Sequence, residues 1–296
     1  MSVFRSGFIA LLGPPNAGKS TLTNALVGTK VAIVTPIPQT TRTAIRGVVH
    51  LPHAQMVLVD TPGVHSPKHR LGEHMMRTAR AALQEADAVL LVLDVSRPVG
   101  PETEMAVALA RQSGRPVVVA LNKCDLASPR EIEAREAWVR AELGEARVVR
   151  TSALRGQGLP ELVEILVGLL PPGPRYFEEE DLTDQPLQRL VAELIREKAM
   201  ERVREEVPHA VGVEIEEFRE KPEEGLTYIR ATLHVEKPSH KPILIGKGGR
   251  MIREIGTAAR KEIEALLGTR VYLDLWVKVS EDWRDDERMI RALYPS

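Results

Sequence analysis

One run, Gly13-Pro14-Pro15-Asn16-Ala17-Gly18-Lys19-Ser20, limits the possible folds more than any other segment. It follows the apolar stretch 7–12 and opens a helical pattern at 19–26. Glycines in such a loop let backbone N–H groups close around phosphate oxygens. The helix N-terminus adds a positive dipole end, and the lysine adds a compact charge. The loop needs a strand before it and a helix after it, so the chain is expected to start as a βα unit of a parallel sheet. Gly13, Pro15, Asn16, Ala17, Gly18, Lys19, Ser20 and Thr21 are the candidate phosphate ligands, and the Ser20 hydroxyl is a candidate Mg²⁺ ligand.

The alternation continues. Compact apolar runs at 8–12, 55–59, 88–93, 117–121 and 147–149 are separated by helical patterns at 71–84, 102–112, 129–143 and 159–170. This order predicts a mostly parallel six-stranded sheet covered on both faces. Residues 43–50 alternate more clearly and are expected to pair antiparallel with 55–59 through a turn at Pro52-His53. Pro171-Pro172-Gly173-Pro174 and the acidic run 178–181 break the pattern and read as a linker. The expected layout is a phosphate-binding α/β domain at 1–172, a linker at 173–184, a second domain at 185–280 and a polar tail at 281–296.

Three further motifs fall at strand ends. Asp60-Thr61-Pro62-Gly63 places a carboxylate for Mg²⁺ and a Gly63 N–H that can report on a γ-phosphate. Asn122-Lys123-Cys124-Asp125 offers a carboxylate that accepts from guanine N1–H and its 2-amino group, which adenine cannot match. Thr151-Ser152-Ala153 offers a backbone N–H for the guanine 6-oxygen, making Ser152 and Ala153 candidates with Asn122, Lys123 and Asp125.

Together GPPNAGKS, DTPG, NKCD and TSA resemble the translation-factor class of GTPases, and Pro38-Gln39-Thr40-Thr41-Arg42 resembles switch I of its Era branch. The resemblance implies a P-loop GTPase domain in which Lys19, Thr41 and Gly63 act in catalysis and Ser20, Thr41 and Asp60 hold Mg²⁺, with Thr40 as the alternative to Thr41. Val64 stands where a water-orienting glutamine would be, so intrinsic hydrolysis is expected to be slow. In related GTPases an Asn at the position of Asn16 helps to hold K⁺, which makes K⁺ a candidate auxiliary cation here.

After the linker the order is helix (185–206), strand (211–218), strand (226–236), short helix (241–245), Gly246-Lys247-Gly248-Gly249, long helix and strand (271–279). It resembles an α+β type II KH domain. Glycines at such a loop allow close approach of a sugar–phosphate backbone. Lys241, Ile245, Gly246, Lys247, Gly248, Gly249, Arg250 and Arg253 are the candidate RNA contacts, within a segment rich in Lys and Arg although the whole chain carries only −1. A GTPase domain followed by a KH domain resembles the Era family of ribosome-assembly GTPases. That implies a monomeric cytoplasmic GTP/GDP switch that binds small-subunit ribosomal RNA near its 3′ end and assists 30S assembly. It also implies peripheral association with the inner face of the cell membrane. Rival readings are an RNA-binding scaffold with a non-switching GTPase domain, and a P-loop kinase or ATPase acting on RNA.

Other features read more plainly. A single cysteine excludes an intrachain disulfide and suits a reducing compartment. His65, His69 and His74 are expected to face solvent rather than a metal, and the acids at 281–287 to form a solvated helix face.

Overall fold

The computed structural model describes residues 3–295. Two compact units are present, one built from the chain up to Lys68 with Gly72–Asp184, the other from His69–Leu71 with the chain from Gln185 onward.

In the first unit, strands β1 (Arg5–Leu12), β2 (Ile45–Leu51), β3 (Ala54–Asp60), β4 (Ala88–Asp94), β5 (Val117–Asn122) and β6 (Arg147–Arg150) form one sheet in the order β2-β3-β1-β4-β5-β6. Every pairing is parallel except β2 with β3, which are joined by the tight turn foreseen at Pro52-His53. Helices α1 (Lys19–Val27), α2 (Arg70–Glu85), α3 (Pro101–Gln112), α4 (Pro129–Leu143) and α5 (Leu159–Leu169) complete the alternation. Successive residues of β1 enter different cores: Ile9 and Leu11 pack with Leu22, Leu58, Leu162 and Leu166, while Ala10 and Leu12 pack with Val64, Leu83, Val107 and Val139. With both faces covered, the strands must be apolar throughout, which explains runs without polar alternation.

Residues 171–184 are laid along this unit. Ser6 Oγ donates to the Pro174 carbonyl at 2.5 Å. The buried Gln55 side chain accepts from the Tyr176 and Phe177 N–H groups at 2.6 and 3.1 Å and donates back to the Phe177 carbonyl at 2.8 Å. On the outer strand β2, Val48 N–H donates to the Leu182 carbonyl at 2.9 Å, and Arg46 pairs with Asp184 at 2.6 Å. The Pro-rich composition reads as free coil, but backbone groups left open at the edge of β2 find partners in it.

In the second unit α6 (Leu187–Met200) and α7 (Val207–Ala210) precede β7 (Gly212–Lys221) and β8 (Leu226–Val235). Next come α8 (His240–Ile245), α9 (Arg250–Leu267), β9 (Arg270–Val279) and α10 (Glu287–Leu293). The sheet order is β7-β8-β9, antiparallel then parallel. The helix expected over 185–206 stops at Met200, and Glu205 takes a left-handed φ of 58° before Pro208 enters α7. Nor do residues 281–295 form a polar tail. Trp283 is fully buried and donates Nε1–H to the Ala210 carbonyl at 2.8 Å. Asp286 caps α10 by accepting from the Arg288 and Met289 N–H groups, so one of the acids taken for a solvated face has a structural role. No helix among the described residues is long and apolar enough to cross a membrane.

Candidate functional site

The motifs converge because β1, β3 and β5 end at the same edge of the sheet, where the loops that follow them meet. They surround a cavity of about 430 Å³. Its walls include Pro15, Asn16, Gly18, Lys19, Ser20, Thr21, Thr40, Thr41, Gly63, Asn122, Lys123, Asp125, Ser152 and Ala153. Gly13, Ala17 and Asp60 are buried and do not line it. Two loop glycines are required by contact: a Cβ on Gly13 would lie 2.2 Å from the Val92 carbonyl oxygen, and one on Gly18 2.3 Å from Asn122 Nδ2.

At the phosphate end, Lys19 is buried and donates to the Gly13 and Pro14 carbonyls at 3.1 and 3.0 Å. Burial lowers its pKa to about 8, against the attraction of Asp60 and Glu102. Ser20 Oγ donates to Asp60 Oδ2 at 2.6 Å and lies 2.9 Å from Thr41 Oγ1. Asp60 is fully buried, which raises its pKa to about 6 despite Lys19 and hydrogen bonds from Ser20 and Thr41. Its Oδ1 has no hydrogen-bond partner among the described residues. Thr40 points elsewhere, into hydrogen bonds with Thr35 Oγ1 at 2.6 Å and the Ile37 carbonyl at 2.7 Å. Of the two candidate switch threonines, the fold brings Thr41 to Ser20 and Asp60.

Gly63 sits against the phosphate loop; a Cβ there would lie 2.7 Å from Pro15 Cα. Val64 is fully buried in the core, so its side chain cannot reach a water in the cavity. His65 and His74 contradict the solvent-facing expectation, being 3% and 6% exposed. Among the described residues no cluster of His, Cys, Asp and Glu could hold a metal ion by itself.

At the base end, Asn122 joins three segments. Its Nδ2 donates to the Ala17 carbonyl at 2.9 Å, and its Oδ1 accepts the Ala153 N–H at 3.0 Å. That N–H, read from sequence as a guanine donor, is thus already engaged within the protein. Lys123 takes a left-handed φ of 64° and donates to the Asn16 carbonyl and to Asp94 Oδ2, each at 2.7 Å. Asp125 carries a side chain only 8% exposed, 3.2 Å from Arg155 Nε. The Ser152 hydroxyl, with Arg155 and Lys123, keeps its carboxyl below the usual range. Asp94, Leu126 and Leu154 were missed from sequence. Asp94 had a signal, a lone acid closing an apolar strand, and Leu126 and Leu154 expose apolar side chains on the cavity wall.

In the second unit the glycine loop joins α8 to α9. Gly246, Gly248 and Gly249 adopt φ of 72°, 60° and 75°, and a Cβ on Gly246 would strike Met251 at 2.7 Å. Arg253 donates to the Gly248 carbonyl at 2.8 Å and so braces the loop, while Arg250 pairs with Glu254 at 2.8 Å. Lys241 and Lys247 are exposed and Ile245 is half-buried.

Comparison with known proteins agrees with both units. The profile of the 50S ribosome-binding GTPases matches residues 8–123, and that of KH domains matches 206–284. GTPase Era of Carboxydothermus hydrogenoformans is 43% identical over 97% of this chain and 97% of its own length. That of Caldicellulosiruptor saccharolyticus is 43% identical over 98% and 97%. A crystal structure of Era with MgGDPNP and nucleotides 1506–1542 of 16S ribosomal RNA superposes with a TM-score of 0.95 at 39% identity, covering 98% of each chain. A variant of Aquifex aeolicus Era bound to GDP and AlF₄⁻ superposes with a TM-score of 0.94 at 39% identity, over 98% of this chain and 99% of that one. A nucleotide cavity on a GTPase sheet, a KH unit with its glycine loop and this identity over nearly the whole length together establish that the chain belongs to the Era family of GTPases.

Proposed function

We propose that the chain is a GTP-hydrolysing switch that binds the 3′ region of small-subunit ribosomal RNA through its KH unit and assists 30S subunit assembly. The observation that carries the switch is Thr41, on the segment after α1, lying within hydrogen-bonding distance of Ser20 in the phosphate loop, which itself bonds Asp60. These hard oxygens, with the unpartnered Asp60 Oδ1, suit Mg²⁺. Ser20 and Thr41 would hold the ion, with Asp60 taking part directly or through water, and the ion would neutralise charge on the β- and γ-phosphates. Lys19 would add its charge to the same oxygens, and the Gly63 N–H would meet the γ-phosphate. Asp125 would select guanine, with the Lys123 stem and Leu154 against the base. Membership of the family removes the kinase reading. Binding of a 3′ small-subunit RNA fragment in the nucleotide-free, GDP and GDPNP states tests the remaining rival, since equal affinity in all three would favour a non-switching scaffold.

Asp60 makes Mg²⁺ dependence sensitive to pH. With its pKa raised to about 6 by burial, protons compete with the cation well above the normal carboxylate range. The gain in GTP affinity on adding Mg²⁺ is expected to shrink several-fold between pH 7 and pH 5, read by titrating a fluorescent GTP analogue with and without the ion. An unchanged gain would mean that Asp60 does not contribute to holding the metal.

Asn16 supports a role for K⁺. It sits in the left-handed region at φ 62°, and its Nδ2 donates to the Pro36 carbonyl at 2.9 Å, joining the phosphate loop to the switch segment. Hydrolysis is expected to run faster in K⁺ than in Na⁺ at equal ionic strength, and equal rates would remove this role. Cytoplasmic location and peripheral membrane association rest on the family resemblance.

A further inference from the structure

We infer that His65 is a positioning residue for GTP hydrolysis, holding the peptide that adjoins the γ-phosphate sensor, the Gly63 N–H. This rests on the hydrolytic reading above. The peptide unit between Gly63 and Val64 is gripped from both sides. Its carbonyl, on Gly63, accepts a hydrogen bond from His65 Nδ1 at 2.7 Å. Its N–H, on Val64, donates to the Gly13 carbonyl of the phosphate loop at 3.0 Å. Gly63 is pressed against Pro15, and the Val64 side chain is locked in the core. The preceding N–H, that of Gly63 on the other side of the same Cα, is thereby set relative to the phosphate loop. With no water-orienting side chain after Gly63, positioning of this N–H carries more of the catalysis than it would in a glutamine-bearing GTPase.

A carbonyl oxygen only accepts, so His65 Nδ1 carries a proton and donates it to Gly63. Its Nε2 is buried without a partner among the described residues. The ring lies over Gly72 of α2, where a Cβ would come within 3.2 Å of Nε2. A buried ring with one unmatched nitrogen does nothing for packing that leucine would not do better. Its polar group is accounted for by the bond to Gly63.

The test replaces His65 by Leu, which keeps volume and removes the donor. Single-turnover GTP hydrolysis and the GDPNP affinity are expected to fall roughly tenfold, with GDP affinity and the melting temperature at or above wild type. A merely structural histidine would lower the melting temperature and weaken GDP and GDPNP binding alike, and that result overturns the inference, as does wild-type hydrolysis. His65→Gly gives a second route, because the ring borders a cavity of about 320 Å³ with Glu73, Arg77 and Arg80 that free imidazole can enter. Recovery of hydrolysis by imidazole supports the inference and no recovery counts against it. Absence of hydrolysis in the wild-type protein would instead overturn the function itself.

Discussion

Exchanging Asp125 for Asn is expected to lower GTP affinity about 10³-fold and to transfer the site to xanthosine triphosphate. Guanine presents two donors, N1–H and the 2-amino group, and a carboxylate accepts both. The carboxyl is already held ionised by the Ser152 hydroxyl, Arg155 and Lys123, and only 8% of its side chain is exposed. Asparagine of the same shape turns one acceptor into a donor. The 2-amino group of guanine then faces an N–H, and two charge-assisted hydrogen bonds, each about 1.5–3 kcal/mol, are lost or inverted. Xanthine, with an oxygen at position 2, restores the match. Competition of GTP, xanthosine triphosphate and ATP against a fluorescent GDP reads the outcome. Retained preference for GTP in Asp125→Asn would mean that another group reads the base, and equal loss of all three nucleotides would mean that the loop had collapsed.

How far this site was legible in sequence follows from how local its parts are. Gly13, Gly18, Lys19 and Ser20 lie on one continuous turn, and Asp60 and Asn122 close strands whose apolar runs are visible, so spacing alone places them at one sheet edge. Side-chain networks across that edge are not local. Asn122 meets the Ala17 carbonyl across 105 residues and Lys123 meets Asp94 across 29, and neither link leaves a periodic trace. His65 was misjudged for the same reason, since a polar residue after a Pro-Gly turn reads as exposed until α2 closes over it. The linker shows the opposite error. Pro171 to Pro174 announce a break in regular structure, yet Gln55, buried in β3, hydrogen-bonds the chain that follows. In the second unit the β alternation of 226–235 and 271–279 was plain, whereas Trp283 and Leu293, which pack on Gly212, sit in a segment whose acids hide them.

The second large effect is expected at the glycine loop of the KH unit. Replacing Lys247 and Gly248 together by Asp should weaken binding of a single-stranded 3′ ribosomal RNA fragment about 10²-fold or more at 0.1 M salt while leaving GTP affinity unchanged. The change reverses one exposed cation and adds a second anion, roughly three unit charges on the loop proposed to meet the RNA backbone. Arg250 cannot fully compensate, because Glu254 already engages it at 2.8 Å, and Arg253 is tied to the Gly248 carbonyl. The fold should survive. Nothing lies within 4 Å of a Cβ built on Gly248, and Asp tolerates its left-handed φ of 60° at a cost of about 1–2 kcal/mol. Both new carboxylates also stand before the N-terminus of α9, where the helix dipole favours negative charge. The salt dependence gives a second readout: removing one phosphate contact should flatten the slope of log affinity against log salt by about 0.7. A double variant that binds the fragment as well as wild type, with the same salt slope, would move the RNA site away from this loop.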